Sequence, residues 1–224
     1  MNPTARVRTR VKICGIRDPE SAEAAAAAGA DAVGFVFIEG TPRYIRPEHA
    51  AAIMYALPPM VTSVGVVRDL TVDAFCALEQ RCPCELMQLH GGEDEKTVAA
   101  CGPGVIRAIR FDAASIADDL KRWARLAEVG AILVDGSAGG TGETFDWSRL
   151  ADAVAAMPSP KPIIVAGGLN PDNVADAIRA VRPWAVDVSS GVESAPGVKD
   201  HGAIRAFCGA VRDADNTPPT ASIS

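Results

Sequence analysis

Ala131-Ile132-Leu133-Val134-Asp135-Gly136-Ser137-Ala138-Gly139-Gly140-Thr141-Gly142 decides how the rest of the chain is read. A short apolar run ends in a lone acid, and a glycine-rich turn follows within a few residues. Without Cβ atoms, the backbone N–H groups of such a turn can close around an anion. Two later runs end alike: Ile163-Ile164-Val165 into Ala166-Gly167-Gly168, and Val186-Asp187-Val188 into Ser189-Ser190-Gly191. Any one of these would be an ordinary strand-to-helix turn. Three successive strand ends carrying small, N–H-rich turns make one site for a phosphate, as the last quarter of a (β/α)8 barrel offers.

Working outward, one pattern recurs eight times. Short β-branched runs alternate with Ala-rich amphipathic stretches at the interval of a βα unit. Strands are expected at Val11–Cys14, Ala32–Phe37, Ser63–Val67, Leu86–His90, Val105–Ile109, Ile132–Asp135, Ile163–Ala166 and Ala185–Val188. Helices are expected at Pro19–Ala28, Pro47–Ala56, Val72–Arg81, Glu93–Cys101, Ala113–Val129, Trp147–Met157, Pro171–Val181 and His201–Val211. Asp18-Pro19 and Asn170-Pro171 read as helix starts, and Gly29 and Gly130 as helix ends. Strands apolar on both faces point to an α/β fold with an all-parallel sheet closed into a (β/α)8 TIM barrel. A doubly wound open sheet would usually carry fewer units. No composition break divides residues 1–212, of which 1–10 form a lead, and residues 213–224 read as a flexible tail.

At 224 residues the chain suits one domain with a single large core, and its 48% apolar and 22% charged residues are ordinary for a globular protein. A net charge of −6 argues against nucleic acid as a partner while permitting a local basic pocket for a small anion. No apolar run approaches the ~20 residues of a membrane span, and the N-terminus lacks the apolar segment of a secretory signal. A cytoplasmic location follows as the expectation, and the sequence is compatible with a monomer or a homodimer. The six cysteines need not be disulfides, and Cys82-Pro-Cys84 lacks the second pair of a zinc ribbon. No metal site is expected.

Barrel chemistry sits at the C-terminal ends of the strands. Side chains alternate along a strand, so Lys12 and Cys14 share a face, as do Gln88 and His90. Asp135 ends the sixth strand, and Asp187 lies just before Ser189 on the eighth. A thiol and a carboxylate across one mouth can serve a small molecule as base and acid. Taken alone, a single cysteine is more often an inert buried thiol, and His90 reads equally as a ligand contact or a structural histidine. Asp135 favours function, because burying an acid without a partner is costly.

With these stretches in view, the chain resembles the phosphoribosylanthranilate isomerase family. The resemblance is carried by Lys12-Ile13-Cys14-Gly15, Gly34-Phe35-Val36-Phe37 with Thr41-Pro42-Arg43-Tyr44, and Gln88-Leu89-His90-Gly91. It continues in Gly139-Gly140-Thr141-Gly142, Phe145-Asp146-Trp147, Ala166-Gly167-Gly168-Leu169-Asn170-Pro171 and Asp187-Val188-Ser189-Ser190-Gly191-Val192-Glu193. Each motif alone is weakly specific, but the ordered set runs from about Val11 to Val211. The resemblance implies an Amadori rearrangement of an aminoaldose to an aminoketose in tryptophan biosynthesis, on a phosphorylated small molecule, without cofactor or metal.

It also implies roles. Cys14 is the expected general base and Asp135 the expected general acid. Arg43 would meet the anthranilate carboxylate, which suits a guanidinium fork, and His90, Lys12 and Asp187 would line the same pocket. The phosphate would rest on Gly140, Gly142, Gly167, Gly168, Ser189, Ser190 and Gly191. A free thiol needs a cationic or helix-N-terminal neighbour to ionise near neutral pH, for which Lys12 and the helix after Asp18 are the candidates. Asp135 must hold a proton, which burial would favour. Val64-Gly65-Val66-Val67-Arg68-Asp69 departs from the family, where an aromatic usually follows the valine, often with an asparagine.

A sensor that binds a sugar phosphate without chemistry would have no need of both Cys14 and Asp135. An indole-glycerol-phosphate synthase would want a lysine and glutamate set that has no counterpart here, and a histidine-pathway isomerase typically has an aspartate in place of Cys14.

Overall fold

The computed structural model of the chain describes residues 8–136, 145–158 and 161–217. Strands β1 (Arg10–Cys14), β2 (Ala32–Val36), β3 (Thr62–Val67), β4 (Leu86–Leu89), β5 (Val105–Arg110), β6 (Val129–Asp135), β7 (Ile163–Ala166) and β8 (Ala185–Val188) pair in sequence order, all parallel. The sheet closes where β8 returns to β1, with Lys12 opposite Asp187. Every strand is thus buried on both faces. One face packs outward through residues such as Ile13, Phe35, Leu89 and Ile132 onto the helices. The other fills the barrel with Val64, Ile106, Ala108, Leu133, Ile164, Ala166 and Ala185. The alanines keep that narrow interior packed rather than overfilled.

Helices α1 (Pro19–Ala28), α2 (Pro47–Ala56) and α3 (Val72–Arg81) have the expected bounds. The Asp18 carboxylate accepts from Ser21 N at 2.7 Å, Pro19 opens the first turn, and Gly29 closes α1 in the left-handed conformation at φ 93°. The remaining helices are α4 (Glu95–Cys101), α5 (Ile116–Ala124), α6 (Trp147–Ala155), α7 (Val174–Val181) and α8 (His201–Asn216). A small antiparallel pair, β9 (Glu193–Ala195) and β10 (Val198–Lys199), follows β8.

Several expectations give way to local competition. The stretch expected as one long helix to Val129 is broken. Asp112 caps a turn through Ala114 N, α5 ends at Ala124, and Val129 already pairs with Val105. Gly130 is therefore a strand residue, lying against the Gly104 backbone, and not a helix end. Asn170-Pro171 does not open α7 directly. The Asn170 side chain accepts from Asp172 N and the Asn173 side chain from Asn170 N, each at 2.9 Å, so a turn precedes the helix. Glu93 leaves α4 to serve the loops above it. At the far end α8 runs past Val211 to Asn216, because the Asp215 carboxylate accepts from Thr9 N and Thr9 Oγ1 at 2.7 and 2.9 Å. Arg212 adds a hydrogen bond to Ala28 O at 2.7 Å, tying the last helix to the start of the chain.

Candidate active site

Cys14 is the last residue of β1 and Asp135 the last of β6, so both stand at the C-terminal mouth. Lys12, one inward-facing position deeper than Cys14, donates from Nζ to Asp187 Oδ1 at 2.9 Å, and both side chains are at most 9% exposed. Gly34 on β2 makes room for this arrangement. A Cβ there would lie 2.8 Å from Cys14 Sγ and 3.2 Å from Lys12 Nζ. Burial pushes the Cys14 thiol above its ordinary value, and Asp187 adds to that. Lys12 and Lys199 pull the other way without overcoming it. Burial would likewise lower Lys12, but Asp187 and Cys14 hold it above its ordinary value as a firm cation.

Across the mouth, His90 follows β4 and keeps the ladder through its N–H to Val67 O at 2.8 Å. Its Nδ1 lies 2.7 Å from the Gln88 amide nitrogen, and its Nε2 lies 3.4 Å from Asp135 Oδ2. The imidazole therefore bridges the Gln88 amide and the Asp135 carboxyl. Phe111, whose N–H donates to Asp135 O at 2.8 Å, packs tilted against Phe145 with ring centroids 4.4 Å apart and 32° between planes.

Arg43 reaches the mouth from the segment between β2 and α2. It donates from Nε and Nη2 to the two carboxylate oxygens of Glu193 at 2.8 and 2.9 Å. That pairing raises Arg43 further. Burial alone would raise Glu193, but Arg43 and Lys199 hold it below its ordinary value. Lys199 is lowered by burial against the pull of Glu193. Its Nζ donates to Glu193 Oε1 at 2.8 Å and to Ser189 O at 3.0 Å, with Ser189 Oγ at 3.4 Å. Ser189 Oγ in turn donates to Cys14 O at 3.1 Å.

The remaining anion candidates follow β7 and β8. Gly167 and Gly168 have φ of 86° and 66°. Ser190, Gly191 and Val192 form a single 3-10 turn. Gly191 lies flat on the Leu169 backbone, where any Cβ would collide with the carbonyl oxygen, so the two turns meet edge to edge. Gly140 and Gly142 lie outside the described residues. The structure thus brings Cys14, Lys12, Asp187, Arg43, His90, Asp135, Gly167, Gly168, Ser189, Ser190 and Gly191 to one end of the barrel. Glu193, which ends the last of the motifs quoted above but carries no expected role, and Lys199, which the sequence reading misses, belong to the same constellation. Their sequence signal is an acid and a lysine flanking a Gly197 hairpin, which is faint until the hairpin is seen. Among the described residues no His, Cys, Asp and Glu cluster is arranged to hold a metal ion. No described helix is long and apolar enough to cross a membrane.

The sequence model of the family described as N-(5'-phosphoribosyl)anthranilate (PRA) isomerase matches residues 11–210. The chain is 46% identical over 211 residues to the N-(5'-phosphoribosyl)anthranilate isomerase of Magnetococcus marinus, covering 92% of this chain and 97% of that one. It is similar to the solved phosphoribosyl anthranilate isomerase of Thermus thermophilus, with a TM-score of 0.83 and 38% identity over 92% of this chain and 99% of that one. A second solved isomerase holds reduced 1-(o-carboxyphenylamino)-1-deoxyribulose 5-phosphate. Its TM-score is 0.80 at 38% identity, again over 92% and 99% of the two chains. With a family match spanning nearly the whole barrel, the chain belongs to the N-(5'-phosphoribosyl)anthranilate isomerase family.

Proposed function

We propose that this chain converts N-(5-phosphoribosyl)anthranilate to 1-(2-carboxyphenylamino)-1-deoxyribulose 5-phosphate, as a cytoplasmic step of tryptophan synthesis, with Asp135 as general acid and Cys14 as general base. Asp135 gives its proton to the furanose ring oxygen. The C1′–O4′ bond breaks with its electrons going to oxygen, and the anthranilate nitrogen lone pair forms the C1′=N iminium. Cys14 as thiolate removes the proton on C2′, and the electrons flow back to nitrogen to give an enolamine. The enol loses its hydroxyl proton and gains one at C1′, so hydrogens only change place and both groups regain their starting forms.

The observation that carries this reading is the pairing of a thiol and a carboxyl at the ends of β1 and β6 on one mouth. The N–H-rich turns after β7 and β8 support the phosphate assignment, since backbone amides in such turns favour an anion. Arg43 faces the ring carboxylate in this reading, and His90 orients Asp135. The ligand named for the solved relative has the same phosphate and the same aryl carboxylate. Incubation with phosphoribosylanthranilate should give a first-order loss of the substrate's anthranilate fluorescence. A loss no faster than the uncatalysed background would end the assignment.

A further inference from the structure

The mouth also holds a buried charge cluster whose members are neither the proposed acid nor the proposed base. Glu193, 4% exposed, lies between two cations, Arg43 and Lys199, of which Lys199 is 1% exposed. We propose that Glu193 and Lys199 are positioning residues that make Arg43 a receptor for the substrate's ring carboxylate, Glu193 by gripping one edge of its guanidinium and Lys199 by keeping the cluster cationic. The inference rests on the reading of Arg43 as the carboxylate partner.

A guanidinium offers two forked edges. Glu193 takes the edge made by Nε and Nη2. The other edge, Nη1 with the second N–H of Nη2, makes no hydrogen bond among the described residues and can meet a second carboxylate side by side. Arginine is a long, many-rotamer side chain, and this one comes from a connecting segment rather than a strand. Holding one edge therefore fixes the direction of the other before substrate arrives.

Glu193 alone would neutralise Arg43 and leave little attraction for an anion. Lys199 corrects this. Its nitrogen lies against three acceptors, Glu193 Oε1, Ser189 O and Ser189 Oγ, which calls for the three protons of an ammonium. Two cations then share one carboxylate, and the cluster keeps a single positive charge for the ligand. The same contacts set distance. Lys199 holds Ser189, and Ser189 Oγ holds the carbonyl of Cys14, so the ring-carboxylate fork and the base are parts of one hydrogen-bonded frame.

A purely structural alternative exists, because Lys199 and Glu193 are also cross-strand partners in the β9–β10 pair. Two reduced product analogues separate the alternatives, one bearing the 2-carboxyphenyl group and one a plain phenyl group. Their dissociation constants would be measured on the full chain, its Glu193→Gln and Lys199→Met variants, and Arg43→Met. The wild type should prefer the carboxylate-bearing analogue, and each of Glu193→Gln and Lys199→Met should reduce that preference at least about tenfold. Binding of the phenyl analogue should change less than about threefold, and KM for phosphoribosylanthranilate should rise more than kcat falls. Equal loss for both analogues would mean that the pair only holds the hairpin, and the inference fails. If Arg43→Met abolishes the preference while the other two variants keep it, only this inference fails. If the wild type shows no preference, the reading of Arg43 fails and takes the inference with it. Should Glu193→Gln not fold, Lys199→Met supports or overturns the inference by the same comparison.

Discussion

Lys12 Nζ lies 2.9 Å from Asp187 Oδ1 across the β1–β8 seam, one inward step below the Cys14 thiol. The pair is a cation and an anion acting on one sulfur with opposite signs: Lys12 lowers the thiol and Asp187 raises it.

That opposition orders three pH profiles. If Cys14 is the base, activity should rise with pH as the thiol ionises, and the rise should continue above its ordinary value of 9.0 because burial holds it up. Lys12→Met removes the largest lowering influence and leaves Asp187 in place, so the limb should move furthest to high pH. Lys12→Met with Asp187→Asn should fall between that variant and the wild type. Single-turnover rates across pH 6–11, roughly the span of thiol ionisation, check the order. Lys12→Met should also lose about 3–5 kcal/mol of stability in urea unfolding, the usual cost of breaking a buried pair.

Gly34→Ala tests the space around the thiol. The added methyl meets Cys14 Sγ at 2.8 Å, so it should cost about 1–3 kcal/mol by overpacking and lower kcat by displacing the sulfur. Combined with Cys14→Ala, the methyl occupies vacated space and most of the stability cost should vanish. Equilibrium unfolding of the four proteins in that cycle measures the coupling; additive costs would show that the clash is relieved elsewhere.

For the proposed acid and base, Cys14→Ala, Cys14→Ser and Asp135→Asn should each lose at least ~10²-fold in kcat while keeping affinity for a product analogue. The serine variant is the sharpest, since its hydroxyl fits the site but does not ionise in the working range. A serine enzyme with near-normal kcat would reduce Cys14 to packing.

The two turns proposed to hold the phosphate predict a different signature. Gly168→Val places a branched side chain at φ 66°, and Gly191→Ala drives a methyl into the Leu169 carbonyl. Both should raise KM for the phosphorylated substrate by at least about tenfold through lost or misdirected N–H contacts. Affinity for inorganic phosphate, measured by calorimetry, should fall in parallel.

What could be read from the chain alone follows the range of the interactions. Strand alternation sufficed to put Lys12 and Cys14 on one face, because a period of two is local. Asp18-Pro19 and Gly29 marked α1 correctly for the same reason. The run Ala113–Val129 misled because no proline or glycine interrupts it before Gly130; its break comes from Val129 pairing with Val105. Most hidden were the buried ion pairs. Arg43 and Glu193 are 150 residues apart, and their contact exists only once the barrel brings β2 and β8 to one mouth. Arg107 in mid-β5 and Glu93 above it, whose Nη1 and Oε2 are 2.5 Å apart, are a second case. Glu93 accepts from Asp69 N and Gly91 N at 2.8 and 2.9 Å, binding the loops after β3 and β4. A charge within an apolar strand signals a partner but not which one.

The seam between β1 and β8 has a consequence for how the protein is made. Cys14 emerges early, yet its neighbours Asp187 and Ser189 are joined to Lys12 and Cys14 by bonds spanning 175 residues. At ribosomal speeds of about 5–20 residues per second, the first strand waits on the order of 10–40 s for them. Until then β1 carries an unpaired edge, open to wrong partners. The proposed site is thus completed by the last barrel strand and the hairpin after it, and chains released before Lys199 are born without the frame that surrounds their thiol.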